Sequence, residues 1–159
     1  MAEDVSTSQP WKVNGRQWHL SQQSIAGGQP KGWSGSLIIA LLGAFKKLDP
    51  THKEDWTRKV MVHLEHPAID GPWARLITNH AHALRVEVHC PRGAFTPTMI
   101  ERVGIDPKIR HMHARHDQVQ FWVSRLDDCN PEALRNLIKG ALDGLKQRQS
   151  TATEEKESA

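Results

Sequence analysis

Residues Pro72–Phe95, PWARLITNHAHALRVEVHCPRGAF, decide how the rest of the chain is read. Leu84, Val86, Val88 and Cys90 alternate with Arg85, Glu87 and His89. That period of two marks a half-buried strand, because successive side chains leave opposite faces. Just before it, Trp73, Arg75 and Ile77 alternate with Ala74, Leu76 and Thr78, and Asn79 to Ala83 forms the connection. Two adjoining strands need partners at their edges and apolar cover on one face. The stretch carries no recognisable catalytic signature.

Working outward, Trp56 to Leu64 reads as a strand, with Val60, Val62 and Leu64 on one side and Lys59, Met61 and His63 on the other. Ile69-Asp70-Gly71-Pro72 turns it into the central unit. Further upstream, Leu37, Ile38, Leu41, Leu42, Phe45 and Leu48 recur at helical spacing, capped by Ser34 or Ser36 and stopped by Asp49-Pro50. Trp11 to Leu20 reads as a small hairpin, because Asn14-Gly15 suits a type I′ turn. Gln22 to Gly32 is a loop. Downstream, Thr96-Pro97 opens a short helix closed by Gly104. Ile109 to His116 and Val119 to Ser124 form a second strand pair joined at His116-Asp117. Asn130-Pro131 then caps a helix with Leu134, Leu137, Ile138, Ala141, Leu142 and Leu145 in one stripe.

Strands cluster between helices and do not alternate with them. The expected fold is α+β: a single domain with an antiparallel sheet of about five to seven strands, two main helices on one face and a short third helix. The folded part is expected to span residues 11–146. Residues 1–10, acidic and polar, and 147–159, almost free of apolar side chains, are expected to be disordered tails.

A chain of 159 residues with 38% hydrophobic and 25% charged residues suits one globular core. No run reaches the roughly 18 apolar residues that span a bilayer, so no membrane association is expected. The N-terminus lacks the apolar segment of a secretory signal. Two cysteines, Cys90 and Cys129, fit a reduced compartment, so a cytoplasmic location is expected. The net charge of +3 is compatible with a polyanionic partner, although such a modest excess is also an ordinary surface property.

The histidines offer one kind of chemistry. His80 and His82, then His111 and His113, place imidazoles two residues apart, and strand pairing could add His89. No acid accompanies them at ligand spacing, and Arg110 and Arg115 would repel a divalent cation. Outward polar positions are the preferred reading, with metal or small-ligand binding as the alternative. Nucleophilic elbows, paired carboxylates and phosphate loops are not found in the sequence. No cofactor is expected, and the chain is read as non-enzymatic. Nucleic-acid binding has coherent support: Arg75, Arg85, Arg110 and Arg115 with Trp122 would give a sheet surface of basic groups and an aromatic ring. A structural role within a larger protein complex is the remaining alternative.

One stretch also carries a family likeness. Trp11–Ser21, WKVNGRQWHLS, resembles the start of an accessory domain at the C-terminus of the ATPase component of excinuclease ABC in planctomycete-type bacteria. The helix after Trp33, the strand around Val60–Leu64, Pro72-Trp73-Ala74 and Gly93-Ala94-Phe95 follow in similar order, so the likeness spans Trp11 to Leu145. It implies an association with DNA repair or with a DNA-bound protein complex. The chain has neither the ATP-binding loop nor the cysteine-rich zinc modules of that ATPase, and no functional residues carry over. The element order is also similar to the small α+β fold of YjbR-like proteins, a group linked to DNA binding.

Overall fold

The alternation in the central stretch becomes the middle of a six-stranded antiparallel sheet. The computed structural model describes residues 9–27, 30–113 and 115–158. Its strands are β1 (Lys53–Asp55), β2 (Met61–Glu65), β3 (Ala74–Ile77), β4 (Leu84–Pro91), β5 (Ile105–His113) and β6 (His116–Val123). They lie in the order β1-β2-β3-β4-β6-β5, each neighbouring pair antiparallel. The helices are α1 (Pro10–Val13), α2 (Gly15–Leu20), α3 (Ser36–Leu48), α4 (Pro97–Ile100) and α5 (Pro131–Ser158). The protein is an α+β domain. No helix among the described residues is long and apolar enough to cross a membrane.

Register divides the sheet into two faces. Leu84, Val86 and Val88 of β4 stand opposite Val123, Phe121 and Val119 of β6, while Leu76 and Ala74 of β3 stand opposite Val86 and Val88. All eight are buried and belong to one core with Leu37, Ile38, Leu41, Leu42 and Phe45 of α3 and Leu134, Leu137, Ile138, Ala141, Leu142 and Leu145 of α5. Each Val, Leu, Ile or Phe among them contributes about 1.5–3 kcal/mol through burial, and the two alanines less. The helical stripes and the strand alternation therefore meet in a single layer of contact. Asn130 caps α5, its side-chain oxygen accepting from the Ala133 amide at 3.0 Å, and the Thr96 hydroxyl caps α4.

Several expectations change. Trp11–Leu20 is two short helices and not a hairpin. Asn14 sits at φ −123°, so the positive φ that a type I′ turn demands is absent. The seven-residue spacing of Trp11 and Trp18 instead brings their rings to 5.3 Å. Gly15 is needed for proximity: a Cβ there would overlap the Trp56 carbonyl. Neither Ser34 nor Ser36 caps α3, because Gly35 occupies that position. Trp56–Leu64 is not one strand. Its first part is irregular, and β1 lies earlier, in Lys53–Asp55. β5 starts at Ile105, where Asp106 (φ 50°) and Pro107 form a bulge that hides the period of two. β5 ends at His113 and β6 begins at His116, so His116 and Asp117 are strand residues and not the turn. α5 continues to Ser158 beyond the expected end at Lys146, because Gln, Arg, Ala, Glu and Lys favour helix by intrinsic propensity. The disorder expected for residues 1–10 falls mostly outside the described residues, and Pro10 already opens α1.

Candidate binding face

The face of the sheet turned away from α3 and α5 gathers the polar residues that alternate with the core. Arg75 pairs with Glu87, Arg85 with Trp122, Glu87 with Gln120, and His89 with Gln118, while Lys108 and Arg110 follow on β5 opposite Gln120 and Gln118. Four of the five residues expected to form a contact face, Arg75, Arg85, Arg110 and Trp122, therefore do share one. Arg115 does not. It lies between β5 and β6 at the end of the sheet, where its carbonyl accepts from the Arg92 amide at 3.0 Å.

Glu87, a residue sequence reasoning passed over, organises the centre of this face. It is only 4% exposed. Its carboxylate pairs with Arg75 at 3.9 Å and Arg85 at 3.3 Å, and accepts from the Gln120 side chain at 3.2 Å. An isolated buried charge costs several kcal/mol, so the two guanidinium groups are held to the sheet by necessity. The signal was present in the sequence, as an acid between Arg85 and His89, but only register puts Arg75 opposite it. Across β3–β6 the face carries Arg75, Arg85, Lys108 and Arg110 against Glu87, and Lys108 also meets Asp106 at 3.4 Å. The balance is cationic.

At one end of the face the β3–β4 loop turns its histidines onto Trp122. The rings of His80 and His82 lie 5.0 and 4.7 Å from the indole, and the Arg85 guanidinium sits 5.7 Å from the same ring. The loop is fixed by its carbonyls. His80 accepts from Trp33 Nε1 at 2.8 Å, Ala81 from the Gly32 amide at 2.7 Å and His82 from the Ser124 hydroxyl at 3.4 Å. Gly32 allows this approach, since a Cβ would run into the His82 carbonyl. Beside the loop lies a depression of about 300 Å³ lined by Ile25, Ala26, Pro30, Asn79, His80, Ala81 and His82.

The five histidines weighed as ligands are not brought together. His80 and His82 adjoin Trp122, and His89 lies farther along β4, 3.5 Å from the Gln118 amide. His111 is on the helix side, donating from Nδ1 to the Asp117 carboxylate at 2.6 Å. The side chain of His113 lies outside the described residues. Among those described, no group of three or more His, Cys, Asp or Glu side chains is arranged to hold a metal ion. The His111–Asp117 pair was not anticipated, because it forms only where β5 and β6 pair. Burial pushes the Asp117 carboxyl up, but bonds from the Gly93 amide at 2.9 Å and from His111 outweigh it and hold the group below its ordinary value. Cys90 and Cys129 are buried free thiols; burial pushes them up to about 12 and about 11, so neither is a thiolate near neutrality.

His80 shares one property with three other histidines. Burial lowers the imidazole of His19, His52, His63 and His80 below the ordinary value of 6.5. In the unfolded chain these rings take up protons as pH falls through 6.5, while the folded protein resists protonation. Their contribution is therefore complete above that value and shrinks below it. The denaturant midpoint is expected to be lower at pH 5.5 than at pH 7.5 in equilibrium urea unfolding. Equal midpoints would show that these rings are solvated.

The chain matches no protein-family model, and no curated protein and no solved structure is significantly similar to it.

Proposed function

We propose that the chain is a non-enzymatic accessory module that binds nucleic acid through the helix-free face of its sheet. The observation that carries this reading is the sharing of one face by Arg75, Arg85, Lys108, Arg110 and Trp122. Cations spaced along a sheet neutralise a phosphate backbone, and an aromatic ring among them offers a stacking surface. The excinuclease accessory-domain likeness supports a setting in DNA repair or on a DNA-bound protein complex. Two buried free thiols suit a cytoplasmic location.

Fluorescence anisotropy with labelled DNA at low and moderate salt tests the reading. Affinity should fall steeply with salt, and R85A/R110A should weaken binding about tenfold or more while lowering the salt slope by roughly two. Thermal melting of the double variant separates lost contact from lost fold. Unchanged affinity in a folded R85A/R110A protein would refute the assigned face. No binding even at low salt would redirect the search to a protein partner.

A further inference from the structure

We propose that the β3–β4 loop and Trp122 form a site for an unpaired nucleobase, making the module a reader of single-stranded nucleic acid. This rests on the reading above. Three observations carry it. The first is aromatic: His82, exposed, lies against Trp122 at 4.7 Å, and His80 meets the same indole edge-on at 5.0 Å, so the loop presents a ring surface continuous with the sheet. The second is shape. The adjoining depression of about 300 Å³ has apolar walls from Ile25 and Pro30, and exposed Asn79 brings an amide with both donor and acceptor atoms to its rim. That volume lies at the small end of sites that enclose small ligands, and a base edge is a pattern of donors and acceptors that an amide can match.

The third observation is charge and rigidity. Arg85 sits over Trp122 at 5.7 Å, where it would meet the phosphate next to a stacked base. Three successive loop carbonyls are clamped by Trp33, Gly32 and Ser124, so the ring surface is already ordered before any ligand arrives. A base paired inside a duplex cannot enter such a depression, whereas an unpaired base can.

Three labelled probes test this: a single-stranded DNA oligomer, the same strand annealed to its complement, and the same strand carrying abasic positions. The single strand should bind at least about tenfold more tightly than the other two, and H82A should remove that advantage without altering duplex binding. His82 is exposed, so this variant keeps the fold; W122F, which retains a ring, should keep most of the preference. Equal affinity for all three probes would overturn the base site and leave backbone binding standing. A preference for single strands that survives H82A would place base recognition elsewhere and overturn the assignment. Failure of every probe to bind at low salt would overturn both this site and the nucleic-acid reading.

Discussion

Asp49→Ala should lower the thermal midpoint by roughly 5 to 15 °C, the consequence of losing about 2–4 kcal/mol in a chain of this size. Asp49 ends α3, and its carboxylate reaches three other parts of the fold. Oδ2 accepts from Lys146 Nζ on α5 at 2.9 Å and from His66 Nε2 beyond β2 at 2.7 Å. Oδ1 accepts from the Thr51 amide at 3.0 Å and from its hydroxyl at 2.5 Å. The Asp49 carbonyl also accepts from His52 Nδ1 at 2.7 Å. The Lys146 bond, with the Thr51 bonds behind it, holds the carboxyl well below its ordinary range. The group is therefore ionised at every pH where the protein is handled, and its contribution is lost only as the solution becomes strongly acidic.

Alanine removes the acceptor of Lys146 and leaves His66 only the Thr51 hydroxyl at 2.9 Å, at a site where the Asp49 side chain is 15% exposed. Asp49→Asn keeps an oxygen but not the charge, and should fall between wild type and Asp49→Ala. Differential scanning calorimetry on the three proteins checks the order. A midpoint for Asp49→Ala within about a degree of wild type would mean that water replaces the network without loss.

His19→Leu should cost a similar amount, about 2–4 kcal/mol, read from urea unfolding at pH 7.5. His19 is fully buried on α2. Nε2 donates to the Arg58 carbonyl at 2.7 Å, and Nδ1 accepts from the Thr78 hydroxyl at 2.7 Å. One ring thus ties the N-terminal helices to the segment before β2 and to the end of β3. Leucine fills the space but orphans a buried hydroxyl and a partly buried carbonyl, and unmet partners cost more than the bond itself gained. The difference between the two proteins should also shrink as pH falls from 7.5 to 5.5. Burial holds the wild-type ring neutral, so only wild type loses stability to proton uptake by unfolded His19. A difference independent of pH would place the effect in packing alone.

His19 matters to the binding face because it anchors the loop at one end of it. Thr78, which bonds His19, begins the β3–β4 loop, and its carbonyl accepts from the Ser24 hydroxyl at 2.9 Å. Loosening α2 would therefore reach the loop that carries His80 and His82. The N-terminal segment Trp11–Ser21 has this position in the fold: it braces the loop and does not extend the sheet.

The sequence by itself determined the α+β class, the two apolar helices and the central strands. These follow from periodicity, and the periodicity of Leu84–Cys90 or of Leu134–Leu145 is a local property of the chain. It also determined which side of those strands Arg75, Arg85 and Trp122 would share. The tertiary structure alone decided the rest. Lys53–Asp55 has no apolar period and becomes a strand only by pairing with β2. The bulge at Asp106-Pro107 breaks the pattern of β5 while leaving Ile105 opposite Trp122. Trp11 to Leu20 turned helical because close packing against Trp56 outweighed a strong turn signal at Asn14-Gly15. The candidate site belongs to this second kind. Glu87 between two arginines, and His80 and His82 against Trp122, are set side by side by register and loop anchoring. Local patterns fix which face a residue occupies; only the assembled sheet fixes which residue stands beside it.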